Sequence, residues 1–309
     1  MPTIAPKILI TGRDGQLGQA LCRTLSPLGP LTAWGRQEAD FLKPSALENK
    51  LSDLKPTVIV NAAAWTKVDL AQCRPNEARL VNADSPVAIS AWARDHEAFF
   101  IHYSTDYVFD GSKASPYTEL DSPNPLNLYG QTKLEGDLGI LNNLAQGYVF
   151  RTSWVFSPLG ASFPKTILRL AKSQAQLTVN DDQTGAPTSA DFLAALTALA
   201  IRDHLQDRPH PHGLYNLSCS GQTTWLGYAT YLLHSAKLQG LALPQAPTLL
   251  LPAYGPDPDR PAKRPLNSLL DTTKIQLELN ITCPPWQSEV DKFLTYLQKV
   301  DPQLKYFSS

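Results

Sequence analysis

A tyrosine and a lysine four residues apart, Tyr129 and Lys133, form a pair that could transfer a proton. The stretch YGQTK (129–133) begins a helical segment, and residues at positions i and i+4 lie on one face of a helix. A free tyrosine has a pKa near 10, and an ammonium group about 4 Å away would lower it by about 3 units. We therefore predict that Lys133 brings the pKa of Tyr129 to about 7, where proton exchange is efficient. The alternative is that this common spacing arose by chance.

Two hydroxyl side chains, Ser104 and Thr105, end a strand-like run, AFFIHYST (98–105). Ligands of open α/β sheets bind outside the carboxyl ends of the strands, so both residues are expected beside the reacting atoms. Thr105 would hydrogen-bond the substrate oxygen and steady Tyr129. We therefore predict Thr105, Tyr129 and Lys133 as the catalytic residues.

Three glycines, Gly12, Gly15 and Gly18, follow the first apolar run in the segment TGRDGQLG. Backbone without Cβ atoms can approach a pyrophosphate closely, and the helix that follows offers free N–H groups and a partial positive charge. Gln16 and Leu17 begin that helix and are placed in the same site. The segment indicates a dinucleotide site, with a turn that needs glycine only for its geometry as the alternative.

The end of the second strand indicates which dinucleotide binds. NAD-binding sheets usually carry an acidic residue there, whereas this chain has Gly35 and Arg36. An arginine can pair with a 2′-phosphate through two hydrogen bonds, so NADPH is expected, with NADH as the other cofactor considered. Asp40 and Phe41 could line the adenine edge. The alternative for Arg36 is an ordinary surface residue.

Strand-like and helical segments alternate along the first half of the chain, which is typical of βαβ units and a parallel sheet. We predict an α/β fold, a doubly wound parallel (Rossmann) sheet with a smaller interleaved substrate domain. The predicted division gives residues 1–156 and roughly 188–218 to the NADP(H)-binding domain. It gives roughly 157–187 and 219–309 to the smaller second domain. The predicted strands are KILIT (7–11), LTAWG (31–35), TVIVNAA (57–63), AFFIHYST (98–105), GYVFRTSWVF (147–156) and GLYNLS (213–218).

Composition narrows the class of protein further. The 309 residues carry a formal net charge of −1, and a nucleic-acid-binding protein would usually have a basic excess. The four cysteines form no C-x-x-C pair, and the N-terminus lacks the features of a signal peptide. The most apolar run, FLAALTALAI (192–201), is too short to span a bilayer. We expect a cytoplasmic protein that binds neither nucleic acid nor membranes. The six histidines show no metal-ligand spacing.

Seven stretches of the chain resemble the extended short-chain dehydrogenase/reductases, and within them the branch that reduces dTDP-4-dehydrorhamnose. The runs VNAAA-x-T-x-VD and STDYVF-x-G are specific to this branch. The stretches are TGRDGQLG (11–18), VIVNAAAWTKVD (58–69), HYSTDYVFDG (102–111), LNLYGQTKLEGD (126–137), FRTSWVF (150–156), NDDQTGAPT (180–188) and RPLNSLLDTTK (264–274).

The resemblance implies the last step of dTDP-L-rhamnose synthesis, in which NAD(P)H gives a hydride to C4 of the keto sugar. It implies that Tyr129 gives the proton, that Lys133 and Thr105 assist it, and that Trp154 contacts the sugar. The alternative for Trp154 is a core aromatic. Tyr129 and Lys133 are also expected to contact the cofactor, and further residues expected there are Ala62, Ala63, Ala64 and Thr66. Those expected at the substrate are Ser104, Thr105, Asp106 and Arg264.

Two of these substrate residues have alternatives. Asp106 could instead bond the loop backbone, as short acidic side chains often do. An arginine fork suits the diphosphate of a sugar nucleotide, and Arg260 competes with Arg264 for that role within the run RPAKRP. Arg264 could also be an ordinary surface charge.

The chain departs from the family at a subunit contact that holds a divalent cation between glutamates in some members. The matching places carry Ala20 and Asp191, so Mg²⁺ is not expected and a monomer or weak homodimer is. Two other functions remain open. One is a dehydratase or an epimerase: a dehydratase usually has a glutamate where Tyr107 follows Asp106 here, and an epimerase would more naturally keep an acidic residue at Gly35 and would not require Trp154. A non-catalytic subunit regulating methionine adenosyltransferase also resembles this family.

Overall fold

The computed structural model describes residues 5–208, 210–241, 243, 249–255 and 261–300. The strands in this part of the chain are β1 (Ile8–Thr11), β2 (Leu31–Trp34), β3 (Val58–Asn61), β4 (Phe99–Thr105), β5 (Gly147–Thr152), β6 (Val155–Phe156), β7 (Gln176–Asn180), β8 (Thr184–Gly185), β9 (Thr188–Ser189), β10 (Gly213–Asn216), β11 (Thr223–Thr224) and β12 (Leu249–Ala253).

The α-helices in the same residues are α1 (Gln16–Leu25), α2 (Pro44–Leu54), α3 (Val68–Cys73), α4 (Pro75–Arg79), α5 (Ser85–Asp95), α6 (Leu128–Asn143), α7 (Phe163–Ala171), α8 (Ala190–Leu205), α9 (Trp225–Leu238), α10 (Thr273–Glu278) and α11 (Trp286–Val300). Short 3₁₀ turns lie at Ser26–Leu28 and Asp106–Val108, and one π-helical turn lies at Leu80–Asp84. Among the described residues no helix is both long and apolar enough to span a bilayer.

The main sheet has six parallel strands in the order β10-β5-β4-β3-β1-β2. The chain passes from β1 to β2 on one side and then returns to β3 on the other. Such a reversal opens a crevice at the carboxyl ends of the two strands that flank it. The predicted doubly wound α/β fold is confirmed, and its crevice lies beyond Thr11 of β1 and Asn61 of β3.

Both faces of this sheet are buried, which explains why its strands are almost continuously apolar. On one face, Ile8 and Ile10 share a core with α1, α8 and α10. On the other face, Leu9 and Ile59 pack with α2, α5 and α6. The period of two along β1 thus places helices on both sides of the sheet.

A separate apolar core forms from α7, α9 and α11 with the short strand β7. Its largest members are Phe156, Tyr228, Trp286 and Phe293. The helix α8 and the strand β10, which lie between α7 and α9 along the chain, belong to the main sheet and its core. The chain therefore alternates between the two cores. The boundaries of the two domains stay a prediction.

Two elements differ from the sequence prediction. The run 147–156 is not one strand, because β5 ends at Thr152 and β6 pairs with β9 outside the main sheet. Between them Trp154 takes a left-handed backbone conformation with φ of 46°. The apolar spacing of residues 77–95 also predicts one helical segment, whereas the structure has a π-helical turn at Leu80–Asp84 between α4 and α5.

Candidate active site

Thr105, Tyr129 and Lys133 line one cavity of about 700 Å³ at the carboxyl end of the main sheet. Thr105 is the last residue of β4, and the other two lie in the first two turns of α6. This helix begins at Leu128 because the Asn127 side chain caps it, accepting a hydrogen bond of 2.8 Å from the Gly130 N–H. The structure thus brings the three predicted catalytic residues together.

The Tyr129 side chain is a neutral phenol in this site. Burial raises its pKa to about 12, although the hydrogen bond with Thr105 acts in the opposite direction. Nearby negative charge on Asp106 and Asp137 adds to the rise. The value differs from the pKa of about 7 expected from the sequence because burial of the phenol outweighs any help from Lys133. A neutral phenol is nevertheless the form that can give a proton.

Lys133 is directed away from solvent into the protein. Its side chain is buried, and Nζ lies 2.6 Å from the Tyr103 carbonyl oxygen and 3.0 Å from His102 Nε2. Burial lowers the pKa of Lys133 to about 8, and the charge of Asp137 opposes that change. The lysine can therefore gain or lose a proton near neutral pH. His102 is a neighbour that the sequence reasoning missed, although it stands in the quoted run HYSTDYVFDG.

A buried ion pair between Asp137 and Arg151 anchors the helix that carries Tyr129 and Lys133. Asp137, one turn after Lys133 on α6, accepts a hydrogen bond of 3.1 Å from Nε of Arg151 on β5. Burial raises the pKa of Asp137, while the positive charges of Arg151 and Lys133 oppose that change. Removing one partner of such a pair leaves a buried charge and costs about 3–5 kcal/mol. The pair therefore fixes α6 to the sheet beneath Lys133.

Asp106 directly follows β4 and contacts Thr105, the last residue of that strand. Its carboxylate accepts a hydrogen bond of 3.0 Å from Thr105 Oγ1, which in turn accepts one from the Tyr107 N–H at 3.2 Å. Burial raises the pKa of Asp106 to about 6, against hydrogen bonds from Ser268 and Thr105. Asp106 and Ser104 both line the cavity, as predicted, and Asp106 also has the structural role considered for it.

The glycine turn forms the opposite end of the same cavity. Gly12 has φ of +75°, and a Cβ atom there would lie 2.6 Å from the backbone of Ala62 and Ala63. The N–H of Gly15 closes the turn on the Gly12 carbonyl at 3.0 Å, and no side chain caps α1. Gly18 packs directly against Gly12, where a Cβ would collide. The turn is thus a backbone cradle whose free N–H groups fit a pyrophosphate.

Most of the predicted cofactor residues line this cavity. Gly18 instead supports the turn from behind, and Asp40 turns its carboxylate to the Leu42 N–H (3.0 Å) and does not line the cavity. The lining residues among them are Gly12, Gly15, Gln16, Leu17, Arg36, Phe41, Ala62, Ala63, Ala64, Thr66, Tyr129 and Lys133.

A second arginine stands near Arg36 at the end of β2. Arg13 donates to the Ala33 carbonyl oxygen at 3.2 Å and pairs with Glu38 at 3.1 Å. Glu38 also accepts a hydrogen bond of 2.8 Å from the Gly35 N–H. A Cβ at Gly35 would meet the Arg13 and Asp14 side chains. Sequence reasoning missed Arg13, although it lies inside the quoted run TGRDGQLG.

Two tryptophans form an apolar wall at the far side of the cavity. The ring of Trp154 stacks on that of Trp225, with centroids 3.7 Å apart and planes 10° from parallel. A Cβ atom at Gly185 would lie 2.5 Å from the Trp154 indole, so that glycine makes room for it. Trp154 lines the cavity as predicted, whereas Trp225 was not foreseen because it begins a separate helix, α9.

Arg264 lies outside this lining. Its Nη2 pairs with Asp69 of α3 at 2.6 Å, and its Nη1 donates to the Ala262 carbonyl oxygen at 2.7 Å. The guanidinium therefore fixes the C-terminal segment to the sheet domain. Its competitor for the diphosphate role, Arg260, lies outside the described residues.

The two residues at the places that match the metal-linked subunit contact, Ala20 and Asp191, lie on α1 and α8. Ala20 is buried in α1, and Asp191 of α8 accepts a hydrogen bond of 2.8 Å from Arg23. Within the described part of the chain, no three His, Cys, Asp or Glu side chains are grouped as metal ligands. His210 lies 3.3 Å from Asp203.

Known proteins resemble this chain over nearly its whole length. The model of the RmlD substrate binding domain family matches residues 6–299. The dTDP-4-dehydrorhamnose reductase of Escherichia coli K12 is 43% identical over 296 residues, which cover 94% of this chain and 97% of that protein. That of Burkholderia thailandensis is 39% identical over 92% of this chain and 96% of its own length.

Solved structures agree with these relatives. A dTDP-4-dehydrorhamnose reductase from Clostridium acetobutylicum superposes with a TM-score of 0.85 at 32% identity, covering 94% of this chain and 99% of that one. The Bacillus anthracis reductase, in complex with NADP, superposes with a TM-score of 0.86 at 26% identity, covering 95% and 100%. With the cavity, the glycine cradle and the Thr105, Tyr129 and Lys133 set in place, the chain belongs to the dTDP-4-dehydrorhamnose reductase family.

Proposed function

We propose that this enzyme reduces dTDP-4-dehydro-L-rhamnose to dTDP-L-rhamnose, the last step of dTDP-L-rhamnose synthesis. The observation that carries the proposal is the placement of Thr105, Tyr129 and Lys133 in the same cavity as the glycine cradle. A proton donor and a dinucleotide site that share one cavity are what reduction of a ketone needs.

The chain's own residues fit NADPH. The backbone cradle at Gly12 has no room for a Cβ atom, and the free N–H groups of α1 suit a pyrophosphate. We assign the 2′-phosphate to Arg36 and Arg13, and the nicotinamide end to the small side chains of Ala62 and Ala63. When bound, NADPH supplies the hydride that reduces C4 of the keto sugar. NADH is the alternative cofactor.

Tyr129 would give its phenolic proton to the C4 oxygen. Its raised pKa keeps the phenol protonated at neutral pH, and Thr105 directs it by a hydrogen bond. Lys133 would stabilise the phenolate that remains after the transfer. The reaction adds one hydride at C4 and one proton at O4, so the ketone becomes an alcohol.

The substrate would lie between the catalytic residues and the tryptophan wall. The indole of Trp154, held by Trp225, offers an apolar face to the sugar ring. Ser104 and Asp106 offer hydrogen-bonding groups beside it. Arg264 would hold the diphosphate only after it leaves Asp69, so its role as a substrate residue needs this exchange of partner.

A direct assay tests the proposal. Purified protein is mixed with dTDP-4-dehydro-L-rhamnose, and the absorbance of NADPH, then of NADH, is followed. We expect oxidation by the wild type and a fall of about 10²–10⁴-fold in the rate for Tyr129→Phe, because the phenol supplies general acid catalysis. Protein that binds NADPH but oxidises neither cofactor with this sugar would disprove the substrate assignment.

The proposal extends to where the enzyme acts and how it assembles. We propose a cytoplasmic monomer or weak homodimer that acts on a small sugar nucleotide. The four cysteines are free, in keeping with a reducing compartment. Asp191 is paired with Arg23 within the chain, which leaves it less suited to a metal shared between subunits.

A further inference from the structure

A line of buried polar groups runs from the cofactor end of the cavity to the catalytic lysine. The Ala63 N–H lies 3.2 Å from Asn61 Oδ1, and Asn61 Nδ2 lies 2.8 Å from His102 Nδ1. On the other side of the ring, His102 Nε2 lies 3.0 Å from Lys133 Nζ. Asn61, His102 and Lys133 are each 1% exposed or less, so protein atoms must satisfy their hydrogen bonds.

The hydrogen bond from the Ala63 N–H fixes the orientation of the Asn61 amide, and with it the direction of the hydrogen bond to His102. A backbone N–H can only donate, so the oxygen of the Asn61 amide must face Ala63, and the Thr11 hydroxyl donates to the same oxygen. The amide nitrogen of Asn61 therefore faces His102 and donates to Nδ1. Because Nδ1 accepts, a neutral His102 carries its proton on Nε2.

That proton faces the amine of Lys133. Burial holds the pKa of His102 well below its ordinary value, so the ring is neutral. An ammonium group has only donors, and it cannot accept a hydrogen bond from Nε2–H. The uncharged amine has one lone pair that can accept it, while one N–H still donates to the Tyr103 carbonyl oxygen.

We propose that His102 is a positioning residue that favours the neutral amine of Lys133 over its ammonium form in the free protein. Protonation of Lys133 then takes one proton from solvent and breaks the hydrogen bond from His102 Nε2 to Nζ. The consequence for catalysis rests on the proposed function, whereas the protonation state itself is a property of the free chain.

The surrounding charges agree with a neutral amine. Asp137 on α6 is the nearest carboxylate that favours a charged Lys133, and Arg151 on β5 pairs with it. Asp106, after β4, and Tyr129, on α6, also line the cavity, together with Tyr103 and Tyr107. An ammonium group at Lys133 would add a buried positive charge beside a pair that is already compensated.

A titration of the free protein tests this inference without any activity. Lysine is labelled with carbon-13 at Cε, and its NMR signals are followed through neutral and alkaline pH. The signal of Lys133 is identified by its absence in Lys133→Arg. We expect a midpoint near the lowered pKa of about 8 in the wild type, and a midpoint at least about one unit higher in His102→Phe, which removes the facing donor.

Phe100→Leu is the matched control. Phe100 lies two residues before His102 on β4, and its ring stacks beside the imidazole, so its truncation disturbs packing without removing a hydrogen bond. We expect the Lys133 midpoint to stay unchanged in this variant. A midpoint that does not rise in His102→Phe, or that rises equally in Phe100→Leu, would overturn the proposal.

The wild-type protein alone gives an independent test if His102→Phe does not fold. Nitrogen-15 NMR of labelled histidine rings distinguishes a proton on Nε2 from one on Nδ1. A neutral His102 with its proton on Nε2 supports the proposal, and a proton on Nδ1 overturns it. In the reductase assay, the alkaline limb of kcat/KM should rise with the Lys133 midpoint in His102→Phe. Loss of the assigned activity would leave both NMR results in place, so the two proposals fail separately.

Discussion

Burial sets the protonation state of Asp106, the acidic residue beside Thr105. Asp106 has a pKa raised to about 6 from an ordinary value of 3.8, chiefly by burial. The folded protein therefore binds the proton more tightly than the unfolded chain does. The resulting cost to stability is absent at pH below about 4, grows between about 4 and 6, and is complete above that range. Its size is about 3 kcal/mol at most, from about 2 pKa units.

We predict that Asp106→Asn is more stable than the wild type at pH 7.5 by about 1–3 kcal/mol, since the amide carries no charge and still accepts from Thr105. Urea unfolding at several pH values measures the difference, which should shrink towards zero near pH 4. Equal stability of the two proteins across the whole range would contradict the raised pKa. We expect slower reduction by the variant, because Asp106 lines the substrate side of the cavity.

Arg36, which follows β2, gives a prediction about the choice between NADPH and NADH. We expect Arg36→Ala to weaken NADPH binding about tenfold and to leave NADH binding nearly unchanged, because only the 2′-phosphate offers a charged hydrogen-bond partner. Titration with each cofactor, followed by fluorescence, measures both constants. Arg94→Ala is the control, since Arg94 is half-exposed and pairs with Asp95 and Asn143 far from the cavity. An equal loss for both cofactors in Arg36→Ala would disprove the assignment.

At the scale of elements, two glycines position the two ends of the cavity. Gly12 lets the turn after β1 approach β3, and Gly185 on β8 leaves room for the Trp154 indole. We predict that Gly12→Ala abolishes NADPH binding, because a Cβ would lie 2.6 Å from Ala62 and Ala63 where φ is +75°. We expect that variant to retain binding of dTDP.

Gly185→Ala is expected to weaken binding of the keto sugar and to leave NADPH binding intact. Its Cβ would lie 2.5 Å from the Trp154 indole, so the ring must shift and the sugar must lose its apolar contact. We predict at least a tenfold rise in KM for the keto sugar, consistent with about 1.4 kcal/mol or more of lost binding, with NADPH binding retained. Calorimetry with each ligand on both variants separates the two effects. Parallel loss of both ligands in either variant would indicate general unfolding and contradict the assignment.

The elements that the sequence predicted well are those fixed by local pattern. The first strand is a short continuous apolar run and the turn that follows it is marked by its glycines, so both can be recognised from one short stretch of sequence. The break in the run 147–156 could not be predicted from the local pattern, because no glycine or proline marks it. Trp154 takes its left-handed φ where its ring stacks on Trp225, a residue some seventy positions later in the chain.

The π-helical turn at Leu80–Asp84 has a similar origin. Asn82, inside it, accepts a hydrogen bond of 2.8 Å from the Trp65 N–H and donates to Thr132 at 3.1 Å. Trp65 lies in the loop between β3 and α3 and Thr132 lies on α6, so the apolar spacing of residues 77–95 does not predict these contacts. The pKa of Tyr129 escaped prediction for the same reason, since burial of the phenol depends on the assembled site and not on its spacing from Lys133.

At the scale of the whole molecule, the contact between α1 and α8 includes the two places, Ala20 and Asp191, that match the metal-linked subunit contact of some relatives. Arg23 and Asp191 pair there at 2.8 Å, and Ala20, on the same helix as Arg23, offers no ligand. A divalent cation would have to compete with the guanidinium for one half-exposed carboxylate. The contact therefore favours a chain that assembles without Mg²⁺.

We predict that EDTA changes neither the rate of reduction nor the mass in solution, because this pair occupies the only carboxylate that the matching places offer. Sedimentation with and without Mg²⁺ measures the mass against the 33.9 kDa of one chain. Asp191→Asn, which weakens the pair with Arg23, should behave like the wild type in both conditions. A Mg²⁺-dependent doubling of mass that is lost in Asp191→Asn would show that the carboxylate leaves Arg23 for a shared ion, and the ion pair would then be a resting contact of a metal-linked dimer.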